Sequence, residues 1–148
     1  MSVLNFDKIG SVRHFNKESR DFQFIEKIEA GLALTGSDAK SLRTNTPQFG
    51  NSKVEIKNGQ PVLTNLTIPL YKFSQNQEID TTHERNLLLS KKQIAKLISF
   101  RNQKYMIIPI SIYTQGKWFK VEIGVGRKMK KYEKRQSIKD RDMKRGLY

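Results

Sequence analysis

The stretch Met106-Ile107-Ile108-Pro109-Ile110-Ser111-Ile112-Tyr113-Thr114-Gln115-Gly116-Lys117-Trp118-Phe119-Lys120-Val121-Glu122-Ile123-Gly124-Val125 decides the architecture. After Gly116, apolar and polar residues alternate with a period of two, the pattern of a strand with one buried face. Phe119, Val121, Ile123 and Val125 share one face, and Trp118, Lys120 and Glu122 share the other. Before the Gln115-Gly116 turn, Met106, Ile108, Ile110 and Ile112 are expected to share one face of the partner strand. Pro109 has no N–H to give a ladder, so this strand is expected to lie at an edge or to carry a bulge there.

Working outward, Val54-Glu55-Ile56 and Val62-Leu63 flank Asn58-Gly59, a second hairpin signal because both turn positions tolerate positive φ. Residues 22–34 read as a long strand, with Gly31 at a bend. Two helices interrupt the strands. Ser90-Lys91-Lys92-Gln93 fits a capping box, and Ile94, Leu97 and Ile98 follow at helical spacing, predicting a helix over 91–101. A shorter helix is predicted over 37–43, where Thr35-Gly36-Ser37-Asp38 sets a hydroxyl at the cap and a carboxylate in the first turn. Short strands, hairpin turns and few helices predict a mainly β fold, an OB-like β-barrel. Such barrels commonly present a strand face and loops to nucleic acid.

The 148 residues suit one domain with a tail, divided as an N-terminal extension over 1–12, the barrel over 13–126 and a basic C-terminal tail over 127–148. Lys and Arg number 28 against 14 Asp and Glu, a formal charge of +14. Such an excess repels itself in a compact chain and points to a polyanionic partner. The tail holds ten basic and three acidic residues, a net +7, half of the whole. With few apolar residues to bury, it is expected to stay disordered until bound. The chain has no cysteine, so disulfides and thiolate metal sites are excluded. Neither a signal peptide nor a membrane span is expected, which favours the cytoplasm.

Catalytic chemistry is thinly supplied. His14 and His83 are the two histidines, and His83-Glu84 fails as a zinc-helix motif because position 87 is Leu. The sequence has neither a phosphate-binding Gly-Lys-Ser/Thr loop nor a Gly-x-Ser-x-Gly elbow. The expectation is a binding protein rather than an enzyme, without cofactor or metal. Lys and Arg would neutralise phosphates, and Trp118, opposite the apolar face of its strand, would stack a base. Phe22 and Phe24 are expected in the core. On residues alone, a generic OB-fold single-stranded RNA-binding or ribosome-associated protein stays open. A nuclease would need clustered carboxylates, and none stands out.

Five segments resemble the SsrA-binding protein (small protein B) family, in its order, across roughly residues 16–142. They are Asn16-Lys17-Glu18-Ser19-Arg20; Glu29-Ala30-Gly31-Leu32-Ala33-Leu34-Thr35-Gly36 with Lys40-Ser41-Leu42-Arg43; Leu87-Leu88-Leu89 with Lys91-Lys92-Gln93-Ile94; Lys120-Val121-Glu122-Ile123-Gly124-Val125 with Lys130-Lys131-Tyr132-Glu133-Lys134-Arg135; and Ile138-Lys139-Asp140-Arg141-Asp142. The resemblance implies an OB-like barrel that holds the tRNA-like domain of tmRNA and delivers it to stalled ribosomes in trans-translation. It implies as partners the small-subunit decoding centre, the vacant mRNA channel and elongation factor Tu, with the protein itself a monomer.

By the same resemblance Asn16, Lys17, Arg20, Glu29, Lys40, Arg43, Leu87 and Lys91 fall in RNA-facing segments. Arg85, the remaining firm cation of the 80–86 loop, and Trp118 complete the candidate set. Lys130, Lys131, Tyr132, Lys134, Arg135, Ile138, Lys139 and Arg141 would carry the ribosomal role of the tail. As a helix, the tail would put Arg135, Ile138 and Asp142 on one face. A carboxylate at Glu29 suits RNA only if it accepts base or ribose donors, or holds a neighbouring cation. The sequence departs from the family pattern at His83 and Asn86, where basic residues are usual, and at Glu84, which adds a negative charge.

Overall fold

The structure, a computed structural model, describes residues 11–71 and 80–146. Seven strands form one antiparallel sheet: β1 (Arg13–Phe15), β2 (Phe22–Leu32), β3 (Lys53–Lys57), β4 (Gln60–Thr64), β5 (Arg85–Leu88), β6 (Met106–Gln115) and β7 (Trp118–Lys128). Their spatial order is β1-β6-β7-β2-β5-β4-β3. The sheet curls until β3 lies against β6, which closes the barrel. Three α-helices punctuate it: α1 (Gly36–Thr44), α2 (Lys91–Asn102) and α3 (Lys131–Lys144). The N-terminal extension expected over 1–12 lies, as far as residue 10, outside the described residues.

The local signals explain the elements. Asn58 (φ 52°) and Gly59 (φ 76°) make the β3–β4 turn, both in the left-handed region that a primed turn requires. The β6–β7 hairpin pairs Gln115 with Trp118 around Gly116 at φ 62°. The Thr35 hydroxyl caps α1 by accepting from the Asp38 N–H at 3.1 Å. Ser90 and Gln93 form the reciprocal capping box of α2. The β2 strand ends at Leu32, two residues short of the expected run.

Pro109 decides the register of β6. The β6–β7 ladder is irregular between Pro109 and Ser111, which is the bulge the missing N–H foretells. The bulge reverses side-chain parity along the strand. Ile107 and Ile112 therefore face the core beside Val121, Ile123 and Val125. The expected single face of Met106, Ile108, Ile110 and Ile112 is thus corrected: Ile108 and Ile110 are buried on the outer side, and Met106 is exposed. Two glycines make room there. A Cβ on Gly124 would stand 2.6 Å from the Phe24 ring and 2.8 Å from Ile110 Cδ1, and one on Gly126 2.1 Å from the Gln23 carbonyl oxygen. Phe22 and Phe24, expected in the core, stack in parallel at 6.0 Å outside it and are half-buried.

The tail also differs from expectation. Where the sequence reading leaves it disordered until bound, Lys131–Lys144 form α3. Glu133 in the first turn and Arg141 and Lys144 in the last match the helix dipole, while Lys131 and Lys134 at the start and Asp142 near the end oppose it. The helix rests on the barrel through few groups. Lys134 pairs with Asp21 at 2.8 Å, Arg127 with Glu133 at 2.8 Å, and the Met129 N–H donates to the Asp21 carbonyl at 2.8 Å.

Candidate nucleic-acid interface

The outer face of β1, β6, β7 and β2 is built by strand alternation. Ile28 and Ala30 point into the core, so Lys27 and Glu29 point out. By register Glu29 lies opposite Glu122, and Lys120 lies between Gly31 and Tyr113. Two carboxylates facing each other across a ladder repel. The Tyr113 hydroxyl relieves one of them by donating to Glu29. Burial pushes the Tyr113 phenol up to about 12, and the bond to Glu29 adds to that shift. The Arg13 guanidinium covers the Tyr113 ring at 4.4 Å and donates to the Ser111 hydroxyl at 3.1 Å. The Glu29 carboxylate is thereby oriented with one oxygen engaged, leaving capacity to accept from an RNA amino group or 2′-hydroxyl.

Other groups suited to a nucleic acid stand on this face and on the helices beyond it. Trp118, 76% exposed, projects at the end of the β6–β7 hairpin. Leu88, 61% exposed, packs against Gly31. A Cβ at 31 would crowd the Leu88 side chain at 3.1 Å, so the glycine gives Leu88 its room. Arg43 on α1 covers the Phe119 ring at 5.4 Å, and Lys40 lies 5.7 Å from the Tyr71 ring. Arg20 lies 5.2 Å from the exposed Phe15 ring, Lys17 is exposed beside it, and Lys91 opens α2.

Three of the sequence-chosen residues are placed elsewhere. Arg85 is 1% exposed, so the expectation that it grips RNA is corrected. Its guanidinium donates to both carboxylate oxygens of Asp38, at 3.1 and 3.4 Å, and to the carbonyls of Leu66, Thr81 and His83 at 2.5, 2.9 and 3.0 Å. Asp38 also holds the His83 ring at 3.1 Å. Arg85 thus ties α1 and the segment before β5 together from inside. Leu87 is wholly buried in the core, and its neighbour Leu88 takes the outward place. Asn16, 3% exposed, works within the fold: its amide donates to the Pro109 carbonyl at 2.9 Å, and its side-chain oxygen accepts from the Glu18 N–H at 3.1 Å. It thereby caps the 3₁₀ turn Lys17–Asp21 and fills the bulge that Pro109 opens.

Sequence reasoning left out Arg13, Lys27, Tyr113, Lys120 and Leu88 as site residues. Alternation from Glu29 and Trp118 would have found Lys27 and Lys120. Among the described residues no group of three or more His, Asp or Glu is arranged to hold a metal ion. No helix among them is long and apolar enough to cross a membrane.

A curled antiparallel sheet, an outer face of cations, aromatics and one braced carboxylate, and a cationic terminal helix define an OB-like barrel of the nucleic-acid-binding class. Comparison with known proteins narrows this. The family model "SmpB protein" matches residues 13–148. The SsrA-binding protein of Lactobacillus helveticus (strain DPC 4571) is 42% identical over 134 residues, covering 89% of this chain and 88% of the relative. That of Geotalea uraniireducens (strain Rf4) is 39% identical over 132 residues, covering 88% and 87%. A solved structure described as "tmRNA-SmpB: a journey to the center of the bacterial ribosome" superposes with a TM-score of 0.67 at 29% identity, covering 87% of this chain and 94% of that one. The chain belongs to the SmpB, or SsrA-binding protein, family.

Proposed function

We propose that this protein binds tmRNA and carries its tRNA-like domain to stalled ribosomes in trans-translation. The observation that supports this best is the outer face itself: Glu29 braced by Tyr113, with Arg13, Lys120, Leu88 and Trp118 around it, in a chain of the SmpB family. Lys27, Arg20, Lys40, Arg43 and Lys91 neutralise phosphates around that centre. Glu29 accepts donors that a folded RNA presents, and Trp118 stacks on an exposed base. Arg85, Asn16 and Leu87 support the face from within.

The tail enters the vacant mRNA channel, where Lys130, Lys131, Tyr132, Lys134, Arg135, Ile138, Lys139 and Arg141 meet the decoding centre. Elongation factor Tu completes the complex. The protein acts as a monomer in the cytoplasm, without membrane, cofactor or chemistry of its own.

The test compares the separately measured affinities of a tRNA-like-domain transcript and a single strand of equal length. The folded RNA is expected to bind at least tenfold more tightly. Glu29→Gln is expected to weaken it while leaving the single strand unaffected, and Trp118→Ala to weaken it without changing the salt slope. Equal binding of both RNAs overturns the proposal. Chains ending at residue 128 are expected to keep RNA binding and lose peptide tagging on stalled ribosomes, and tagging that survives overturns the role of the tail.

A further inference from the structure

The barrel is not sealed by hydrogen bonds. Among the described residues β3 pairs with β4 alone, and β6 pairs with β1 only from Ser111 to Tyr113. Between β3 and the Met106–Pro109 half of β6 there is no ladder. The hairpin closes on the pair Lys57–Gln60, so alternation turns the backbone groups of Val54 and Ile56 outward, away from β4. The C-terminal end of α2 lies over this seam, where the Arg101 guanidinium approaches the Val54 carbonyl at 3.4 Å.

Two cavities meet at Arg101, one at the seam and one between α2 and the β3–β4 hairpin. One, of about 300 Å³, is lined by Lys53, Val54, Lys104, Tyr105 and Met106. The other, of about 330 Å³, is lined by Ile56, Gly59, Ile98 and Asn102. Neither is lined by a carboxylate; Glu55 pairs with Lys53 at 3.2 Å, and Glu18 and Asp21 line the adjoining cavity that shares Lys53 and Met106. Tyr105 is fixed by an edge-on contact with Phe100, centroids 6.0 Å apart. Lys104 has φ 69°, a left-handed conformation that L side chains rarely adopt. It holds the position just past the helix where glycine is favoured. Met106 and Ile98 leave 43% and 37% of their surface exposed.

We infer that this seam is a second RNA site, which takes a single strand while the outer face holds a folded RNA. Lys53, Arg101 and Lys104 meet phosphates, the outward N–H groups of Val54 and Ile56 meet phosphate or 2′-hydroxyl oxygens, and bases lie against Tyr105 and Met106. A protein strand is disfavoured as occupant: Lys53 and Lys57 end the edge strand, and Arg101 reaches the carbonyl a new strand would need. The inference is independent of which RNA occupies the outer face.

The test uses the full chain and a fluorescein-labelled 12-nucleotide oligouridylate, read by anisotropy with and without a saturating tRNA-like transcript. The oligomer is expected to bind in both conditions. Lys53→Glu with Lys104→Glu, both exposed, is expected to weaken the oligomer at least tenfold and change binding of the folded RNA less than twofold. Because single strands lose affinity with a slope of about 0.7 per neutralised phosphate, removing two cations lowers the salt slope by about 1.4. Photocrosslinks from 4-thiouridine are expected at Tyr105 or Met106. Displacement of the oligomer by the folded RNA, crosslinks confined to Trp118, tighter capture of an oligoglutamate peptide, or unchanged binding by the variant each overturn the inference. Failure of the transcript to bind at all would instead refute the function proposed above, since the oligomer measurement stands without it.

Discussion

Replacing Arg85 by Met separates a structural arginine from an RNA-gripping one. The substitution roughly keeps the side chain's length and removes its charge and all of its donors. Asp38, 4% exposed, is left with His83 as its remaining side-chain partner, and the carbonyls of Leu66, Thr81 and His83 lose the donors that Arg85 supplied. Breaking a buried pair by removing one partner costs about 3–5 kcal/mol. The apolar replacement restores some packing, so about 4 kcal/mol is the expected loss, out of about 5–15 kcal/mol for a typical domain. At a urea m-value of about 2 kcal/mol/M, the midpoint falls by about 2 M. The assay is urea unfolding followed by Trp118 fluorescence and circular dichroism, paired with RNA affinity across a salt series on the folded variant. Stability is expected to fall while the salt slope stays, because a buried guanidinium releases no counterion from phosphate. A stability loss below about 1 kcal/mol with a slope lowered by about 0.7–0.9 would refute the reasoning and return Arg85 to the RNA.

Gly126→Ala is expected to destabilise more than Gly124→Ala, because its Cβ meets backbone at Gln23 and that of Gly124 meets the side chains of Phe24 and Ile110, which can turn; at about 1–3 kcal/mol for overpacking, thermal melts resolve the order. The Tyr113 phenol, with a folded pKa raised above its ordinary 10.0 to about 12, adds stability that is fully present below pH 10 and lost as pH rises through about 12. In a spectrophotometric titration the component ionising near pH 12 is expected to disappear in Tyr113→Phe, and an unchanged titration would refute the assignment. The α3 helix is held by exposed ion pairs worth about 0–1 kcal/mol each. Raising salt to 1 M is therefore expected to reduce helical circular dichroism in the full chain and not in a chain ending at residue 128; equal loss in both would refute this docking.

Legibility followed the range of the signal. Hairpins at Asn58-Gly59 and Gln115-Gly116 and the capping box at Ser90 are local, and each was readable because a few adjacent residues settle it. Pro109 announced its bulge, but the consequence, Ile107 exchanging with Ile108 at the core, follows from the register with β7 and from Asn16 arriving from 93 positions away to fill the gap. The same limit explains the site. A basic residue in an RNA-facing segment reads the same whether it points out, as Lys91 does, or in, as Arg85 does. What separates them is Asp38, 47 positions earlier, which no local pattern couples to Arg85. Leu87 and Leu88 are chemically alike and differ only in strand parity, which is set by pairing with Gly31 and Leu32. The tail differs for another reason: low apolar content argues against burial, while a helix satisfies its backbone groups internally and this one gains contacts of Lys134 with Asp21 and of Glu133 with Arg127.

The placement of negative charge bears on selectivity. With a formal +14, this chain attracts any polyanion, and attraction alone discriminates poorly among RNAs. Glu29 and Glu122 stand opposite one another on the face where cations would otherwise be most useful. Both carboxylates repel phosphate, so a strand laid across that face loses part of what Arg13, Lys27 and Lys120 offer. The loss is recovered only where an RNA brings donors to Glu29, whose carboxylate Tyr113 holds in place. A folded RNA with an exposed base edge or ribose hydroxyl at that spot meets the condition, and a generic strand does not. In the function proposed above, specificity would arise from penalising the wrong partner as well as rewarding the right one. The two cavities that share Arg101 carry no carboxylate in their linings, and the tail, at net +7, holds three acidic residues against ten basic. Under the proposed function, discrimination is thus concentrated on one face of the barrel, while general affinity for RNA is distributed over the rest of the chain.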